Sequence, residues 1–315
     1  MRELVQQSDV LVQNFKAGGM DKLGLGYEQL KALKPDLIYG SISGYDRSGS
    51  EAGRPGYDLV IQGEAGLMAL NGEPGQPLLK FGVAAVDMFT GMYAAQAVLA
   101  ALFERQRTGQ GRHIEMALYD CGLMISAYCG LEALLLRQDP PRYGNAHPSI
   151  VPYGVFDSAD GPLVITVGNN AQFERFAREV IERPDLAEDP RFQTNGGRSA
   201  HREALLAEIH PALRRQPRAW LLQRLAQASI PCGEVLGLHE ALASDRTRRG
   251  QLLHAYDHPV AGPTQVMAPP YRVDGARLPV RRPPPVLGEG TAEVLQELLR
   301  LDEAEIQALR VSGAI

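Results

Sequence analysis

Residues 9–43 read DVLVQNFKAGGMDKLGLGYEQLKALKPDLIYGSIS. The apolar runs over 9–14 and 37–43 predict two short strands. Between them, a Gly-rich loop precedes a helical pattern that begins at Tyr27 and is stopped by Pro35. A strand, a helix and a strand at this spacing form a βαβ unit, so we expect a parallel sheet with right-handed crossovers.

Two loops follow the ends of these predicted strands. The first contains Asn14, Phe15 and Lys16, and the second contains Gly44 and Tyr45. Ligands of parallel α/β sheets bind beyond the carboxyl ends of the strands. The sequence therefore predicts that residues of these loops contact a ligand.

Residues 81–95, FGVAAVDMFTGMYAA, place one carboxylate, Asp87, between a short apolar run and a long helical pattern. We expect a strand before Asp87 and a helix after it. A side-chain oxygen at this position would accept the free N–H groups of the first helical turn, and the helix dipole would favour its ionised form. The local pattern favours a simple helix cap and leaves a chemical role for Asp87 open.

The chain as a whole predicts two domains. Residues 1–136 form a large domain whose last part, 119–136, is apolar nearly all round and predicts a buried helix. Residues 137–150 are rich in chain-breaking residues and form a linker. A hairpin signal followed by helices predicts a small α+β domain over 151–260, and residues 261–315, proline-rich and extended at first, return to the large domain.

Composition excludes several classes of protein. With 44% hydrophobic and 22% charged residues and a net charge of -5, the chain is typical of a globular protein and lacks the basic excess that nucleic acid requires. No run approaches the ~18 apolar residues of a membrane span. Cys121 and Cys129 lie in apolar stretches and are interpreted as buried thiols in a reducing compartment, so the cytoplasm is expected. The histidines show no metal-ligand spacing, and His147 by itself is interpreted as a loop histidine.

Six segments of this sequence together resemble the class III CoA-transferase family, which includes formyl-CoA transferase, carnitine CoA-transferase and α-methylacyl-CoA racemase. They are residues 14–25 (NFKAGGMDKLGL), 39–45 (YGSISGY), 56–58 (GYD), 87–92 (DMFTGM), 101–111 (ALFERQRTGQG) and 283–289 (PPPVLGE). Residues 144–153 and 168–173 are most similar to members that move CoA between dicarboxylates, such as succinyl-CoA–glutarate CoA-transferase. The resemblance implies a Rossmann-like large domain with a smaller α+β domain, an interlocked homodimer, and an acyl-CoA and a small carboxylic acid as substrates, without a permanently bound cofactor or metal.

The resemblance places the family's nucleophilic aspartate at Asp87, which would pass through an aspartyl anhydride and an aspartyl-CoA thioester. Family contacts to CoA fall on Asn14, Phe15, Lys16, Lys22, Arg54, Pro55, Gly56 and Tyr57. Contacts to the acid substrate fall on Tyr57, Gly144, Asn145 and His147, and Arg142, Arg54 and Lys80 are further candidates for holding a distal carboxylate.

Two residues argue against the racemases of the same family. Where those enzymes have a second acid/base histidine and a glutamate, this sequence has Tyr57 and Asn170. Neither side chain exchanges an α-proton readily near neutral pH. A racemase and a non-catalytic CoA-binding protein remain the alternatives to a CoA-transferase.

The beginning of the sequence resembles the middle of a domain. Residues 1–13 predict a helix end that runs into a strand, whereas family members have a βαβ region before the strand that leads to Asn14. That region supplies a glutamine near the nucleophile and contacts to the CoA nucleotide. We expect either a start codon placed too late or a shortened member with impaired CoA binding.

Overall fold

The structure, a computed structural model, describes residues 1–315. Its first part contains a three-stranded parallel sheet in the order β1-β2-β3, with Val10 paired to Ile38 and Ile38 to Arg112. The elements up to the second strand are α1 (Arg2–Gln6), β1 (Val10–Gln13), α2 (Gly19–Lys22), α3 (Tyr27–Leu33) and β2 (Ile38–Ser43). The predicted parallel βαβ unit is confirmed.

Five helices and the third strand complete this part of the chain. They are α4 (Asp58–Glu64), α5 (Leu67–Leu70), α6 (Ala85–Thr108), β3 (Arg112–Ala117), α7 (Leu118–Ile125) and α8 (Ala127–Leu136). Ile61, Val86 and Leu118 are buried together, which joins α4, α6 and α7 in one apolar cluster. Helix α6 ends at Gly109, which has a φ of 67° and so adopts the left-handed conformation that favours glycine.

Two sequence expectations fail in this region. No strand precedes Asp87, because residues 77–84 are irregular. The expected buried helix over 119–136 is two helices, α7 and α8, bent by 84°, and α8 has no buried residue. Leu134 is 79% exposed, so this apolar helix presents its side chains to the outside of the chain.

One helix bears on the expectation that no segment spans a membrane. Helix α6 has 24 residues and a mean hydropathy of 1.4 over its most apolar window, which passes the length and composition test for a span. That test is weak for a single helix, since core helices of globular proteins pass it too. One side of α6 packs on α4, α7, β2 and β3, while Met92 and Leu99 on another side are exposed.

A separate apolar cluster of 19 buried residues lies between Val151 and Ile230. The elements here are β4 (Tyr153–Asp157), β5 (Pro162–Thr166), α9 (Asn170–Arg175) with a π-helical turn (Phe176–Val180), α10 (Pro184–Glu188), α11 (Asn195–Ala200), α12 (Arg202–Arg214), α13 (Arg218–Gln227) and β6 (Cys232–Glu234). The predicted hairpin is confirmed, because β4 and β5 pair antiparallel.

The remaining elements are α14 (Leu238–Ala243), α15 (Asp245–Arg249), β7 (Leu253–His258), β8 (Gly262–Met267), β9 (Arg272–Val273), β10 (Ala276–Arg277), α16 (Thr291–Leu299) and α17 (Glu303–Val311). Strands β7 and β8 form a hairpin whose turn contains the predicted boundary at 260/261. The proline-rich stretch is therefore not extended linker throughout. Helix α16 contacts α1, which brings the end of the chain back to the first part.

Candidate active site

A cavity of about 350 Å³ lies at the carboxyl end of the parallel sheet. Each strand contributes to its wall where it ends: Asn14 follows β1, Ser43 ends β2 and Gly44 follows it, and Leu118 follows β3. The complete lining is Asn14, Ile42, Ser43, Gly44, Gly56, Tyr57, Asp87, Thr90, Gly91 and Leu118. The sheet topology thus places Asp87 at the edge where ligands of parallel sheets bind.

The carboxylate of Asp58 caps the helix that carries Asp87. Asp58 Oδ1 accepts hydrogen bonds from the backbone N–H of Val86 at 2.8 Å and of Asp87 at 3.3 Å. Asp87 is the third residue of α6, and no hydrogen bond holds its own side chain. The interpretation of Asp87 as the helix cap is wrong, and its carboxylate stays available for chemistry.

Gln62 fixes the irregular segment that leads into α6. Its buried side chain accepts from Phe81 N–H at 2.8 Å and donates to Asp58 Oδ2 at 2.6 Å. The same amide therefore orients the capping carboxylate and the chain immediately before the helix. Buried polar groups of this kind are satisfied by hydrogen bonds, and losing one leaves its partners unpaired.

The environment of Asp87 opposes its ionisation. Asp87 remains exposed to solvent, but its partial burial raises the pKa above its usual value, and the negative charge of Asp58 raises it further. This differs from the expectation that the helix dipole would favour the ionised form. A carboxylate with a raised pKa is a more basic nucleophile once it has lost its proton.

A close approach between two glycines shapes the cavity wall. A Cβ placed on Gly44 would lie 2.6 Å from the Cα of Gly56, and a Cβ on Gly56 would collide with Gly44 in the same way. The loop after β2 and the segment before α4 consequently touch through their backbones. Only glycine fits at either position, and Tyr57 follows directly at the cavity.

The predicted CoA contacts divide into two groups. Asn14, Gly56 and Tyr57 line the cavity with Asp87. Phe15, Lys16, Lys22, Arg54 and Pro55 are exposed and lie outside its lining. Lys16 and Lys22 have no acidic partner within 4 Å, so their charges are free to meet an anion.

Arg54 is already paired in this structure. Its guanidinium bonds Glu51 at 2.7 Å, forms an ion pair with Glu64, and lies 4.7 Å from the ring centre of Tyr45. The hydroxyl of Tyr45 donates to Glu64 at 2.6 Å, and burial with this bond raises the pKa of Tyr45 to about 12. A phosphate at Arg54 would have to compete with two carboxylates.

Sequence reasoning missed a buried polar row beneath the Asn14 loop. Gln13 donates to Ser41 Oγ at 2.9 Å, and Ser41 Oγ lies 2.9 Å from His113 Nε2. Gln13 Oε1 also accepts from the N–H of Phe15 at 2.7 Å, which holds the loop at the end of β1. The parallel register places Gln13 beside Ser41, but no sequence motif marks this row.

Of the predicted contacts to the acid substrate, Tyr57 lines the Asp87 cavity, and Gly144, Asn145 and His147 lie outside its lining. Asn145 lines a different cavity of about 170 Å³ with Glu73, and a Cβ on Gly144 would meet the Glu73 carboxylate. The ring of His147 packs 5.1 Å from that of Tyr153, and its Nδ1 accepts from Ser149 N–H. Of the three further candidates for a distal carboxylate, Arg142 and Lys80 bond the backbone carbonyls of Pro77 and Phe81, respectively, and Arg54 is paired with Glu51 and Glu64.

No three His, Cys, Asp or Glu side chains are arranged to hold a metal ion. Of the two cysteines expected to be buried, Cys121 is buried and Cys129 is only half-buried.

Residues 1–291 match the family described as CoA-transferase family III, and the chain belongs to this family. It is 38% identical to succinate–glutarate CoA-transferase of Agrobacterium fabrum, over 95% of this chain and 74% of that protein. It is 34% identical to succinyl-CoA:glutarate CoA-transferase of Mus musculus, over 100% of this chain and 72% of that protein. Among solved structures, a CAIB/BAIF family protein from Brucella suis has a TM-score of 0.82 and 39% identity, covering 94% of this chain and 77% of its own. The chain is a CoA-transferase.

Proposed function

We propose that this enzyme moves CoA from an acyl-CoA such as succinyl-CoA to a dicarboxylic acid, with Asp87 as the covalent nucleophile. The observation that carries this proposal is the Asp87 carboxylate, free of side-chain hydrogen bonds, in a cavity at the ends of three parallel strands. The names of the two relatives above support a dicarboxylate as the acceptor class.

The proposed reaction has four steps at one carboxylate. An oxygen of Asp87 attacks the thioester carbonyl, and the C–S bond breaks to give an aspartyl–acyl anhydride and CoA thiolate. The thiolate attacks the aspartyl carbonyl, forming aspartyl-CoA and releasing the donor acid. The acceptor carboxylate attacks this thioester to form a second anhydride and free the thiolate again. The thiolate then attacks the acceptor acyl carbon, which yields the new acyl-CoA and restores Asp87.

The cavity wall suits these steps. Gly44, Gly56 and Gly91 keep side chains away from the space beside Asp87, which leaves room for a thioester. The exposed cations Lys16 and Lys22 belong to the proposed CoA site, where they would meet phosphates. Tyr57 would contact both CoA and the acid. Gly144, Asn145 and His147 remain proposed acid contacts, although none of them lines the Asp87 cavity in a single chain and Asn145 lines a separate one.

Trapping with hydroxylamine tests this function. Wild-type enzyme incubated with succinyl-CoA should yield a hydroxamate on the peptide that contains Asp87, and Asp87→Ala should yield none. Peptide mass spectrometry detects the modified residue. No adduct in the wild type under turnover conditions would favour a non-catalytic CoA-binding protein. Solvent deuterium at the α-carbon of a recovered thioester would instead indicate racemase chemistry.

We propose a homodimer as the functional assembly, in the cytoplasm. Exposed apolar side chains on α6 and α8 support the dimer; they include Met88, Met92, Leu99, Phe103, Leu131, Leu134 and Leu135. Large exposed apolar side chains concentrated on two helices favour an interaction site. Light scattering after size exclusion should give twice the chain mass. Leu134→Glu should lower that mass, and Leu238→Glu, an equally exposed residue on α14, should not. Recovery of the wild type with membranes would contradict the proposal.

A further inference from the structure

The first turn of α6 has no free backbone donor for a developing oxyanion. Asp58 takes the N–H groups of Val86 and Asp87, Ala85 N–H bonds the carbonyl of Val83 at 2.9 Å, and Met88 N–H bonds that of Ala84 at 3.1 Å. Acyl transfer through a tetrahedral intermediate gains most from donors directed at the new oxyanion. Another group near Asp87 must therefore supply such a donor.

The hydroxyl of Thr90 has no hydrogen-bond partner. Thr90 lines the Asp87 cavity and is 2% exposed, and its Oγ1 is buried and unpaired. The other buried side-chain atoms without a partner, on Arg224 and His254, lie outside this cavity. Buried hydroxyl groups in proteins are nearly always paired, so the unpaired Thr90 hydroxyl is a donor that a group bound in the cavity can use.

Local helix geometry does not account for the unpaired hydroxyl. Threonine in a helix commonly bonds the carbonyl four residues earlier, and Thr108 of the same helix does so to Glu104 at 3.1 Å. Thr90 makes no such bond to Val86. Thr90 follows Asp87 by three residues, so both side chains lie on one face of α6. Threonine uses two χ1 rotamers in helices, which lets the hydroxyl and methyl group exchange places.

We propose that Thr90 is a further catalytic residue, whose hydroxyl donates a hydrogen bond to the acyl oxygen of the group undergoing transfer at Asp87. This inference rests on the function proposed above. The bond strengthens as that oxygen gains negative charge in the tetrahedral intermediate, and the free enzyme leaves the hydroxyl unpaired. No proton is transferred, and threonine remains intact throughout.

Two substitutions separate the hydroxyl from the shape of the side chain. Thr90→Val keeps the volume and removes the donor, while Thr90→Ser keeps the donor. We expect Thr90→Val to lower kcat about 10- to 100-fold with KM for succinyl-CoA nearly unchanged, because the bond matters mainly in the transition state. Thr90→Ser should retain kcat within about threefold. Since the hydroxyl is unpaired in the free protein, Thr90→Val should melt at the wild-type temperature or above it.

Measuring wild type, Asp87→Ala and both Thr90 variants side by side distinguishes the two proposals. An active wild type with Thr90→Val at full kcat would overturn the role of Thr90 alone. An acid limb of the pH–rate profile shifted in Thr90→Val would also overturn it, since that result assigns the hydroxyl to the Asp87 carboxylate. A wild type without transfer or adduct would overturn both proposals. If Thr90→Val fails to fold, Thr90→Ala against Thr90→Ser gives the same decision.

Discussion

Asp58 is hydrogen-bonded to the backbone at the start of α6, the helix that carries Asp87. The carboxylate of Asp58, in α4, accepts the N–H of Asp87 at 3.3 Å and that of Val86 at 2.8 Å. Asp58 thus holds the start of α6 in place while its charge raises the pKa of Asp87. Asp58 therefore fixes the start of the helix that carries the proposed nucleophile, and its charge adds to the larger effect of burial on the pKa of Asp87.

Asp58→Asn should shift the pH dependence of transfer. The amide oxygen still accepts the two N–H groups, although the NH2 group can no longer accept from Gln62. Burial still raises the pKa of Asp87, but the further rise caused by the negative charge of Asp58 is gone. In the proposed mechanism only ionised Asp87 attacks, so kcat/KM should fall as the pH drops through its pKa, and in the variant this fall should begin at a lower pH. Profiles of kcat/KM against pH measure the shift. Asp245→Asn, far along the chain, is the control and should leave the acid limb of the profile unchanged. An unshifted profile for Asp58→Asn would contradict the role of Asp58.

Asp87→Asn should stabilise the fold while abolishing transfer. A raised pKa means that the folded state favours the protonated carboxyl, so stability is greater at low pH and declines as the pH rises through the folded-state pKa. Near pH 7 the ionised carboxylate opposes folding, and the amide removes this effect. The expected rise in Tm is small because Asp87 is exposed. Asp139→Asn serves as the exposed control, and a lower Tm for Asp87→Asn would count against the argument.

Gln62→Leu should reduce both stability and kcat. The substitution leaves Phe81 N–H and Asp58 Oδ2 without their partner, a loss of about 1–3 kcal/mol in the free energy of unfolding. Because the segment before α6 is then free to move, kcat should fall together with stability. Urea denaturation and steady-state kinetics measure the two effects. Leu59→Ala, at an exposed position of the same helix, should change neither by much.

Gly56→Ala should collapse the cavity wall. The added methyl group would overlap the backbone of Gly44, so one of the two segments must move, at a loss of about 1–3 kcal/mol. We expect kcat/KM to drop at least about tenfold, since both glycines line the cavity with Asp87. Gly53→Ala is the matched control, because a Cβ there meets nothing within 4 Å. Equal activity of the two variants would show that the close approach is unimportant.

Lys16→Ala should weaken binding of the acyl-CoA more than Arg54→Ala does. Lys16 is exposed and unpaired, whereas Arg54 is held by Glu51 and Glu64. Loss of one phosphate contact should raise KM for succinyl-CoA about 3- to 10-fold, and less at high salt. Lys34→Ala, whose ammonium pairs with Asp36 at 3.3 Å, provides the control. A larger effect of Arg54→Ala would show that its ion pairs open to receive CoA.

The features that were predicted correctly from the sequence are determined by residues close together along the chain. The βαβ unit over 9–43 and the hairpin around Asp160 follow from periodicity and turn residues within a few positions. The cap on α6 did not follow, because Asp58 and Asp87 are 29 residues apart and only tertiary packing brings them together. The sequence also predicted that Asp87 caps the helix and follows a strand, and both predictions are wrong.

The exposure of α8 was beyond sequence reasoning for a different reason. The sequence of an apolar helix does not show whether the rest of its own chain or another molecule covers it. The break before α8 lies at Ala127, which has a φ of 47°. Because this residue is neither glycine nor proline, the sequence does not mark the bend. The orphan hydroxyl of Thr90 is likewise a property of the packed structure, since nothing in its local sequence separates it from Thr108.

The placement of Tyr57 has a practical consequence for enzyme engineering. Its side chain is 75% exposed at the cavity, but its neighbours are fixed on both sides, Gly56 by backbone contact and Asp58 by the helix cap. A library that varies all three positions would consist mostly of misfolded proteins. Randomising Tyr57 alone would change the mouth of the cavity on an intact frame, which makes it the first position to vary when selecting for a new acceptor acid.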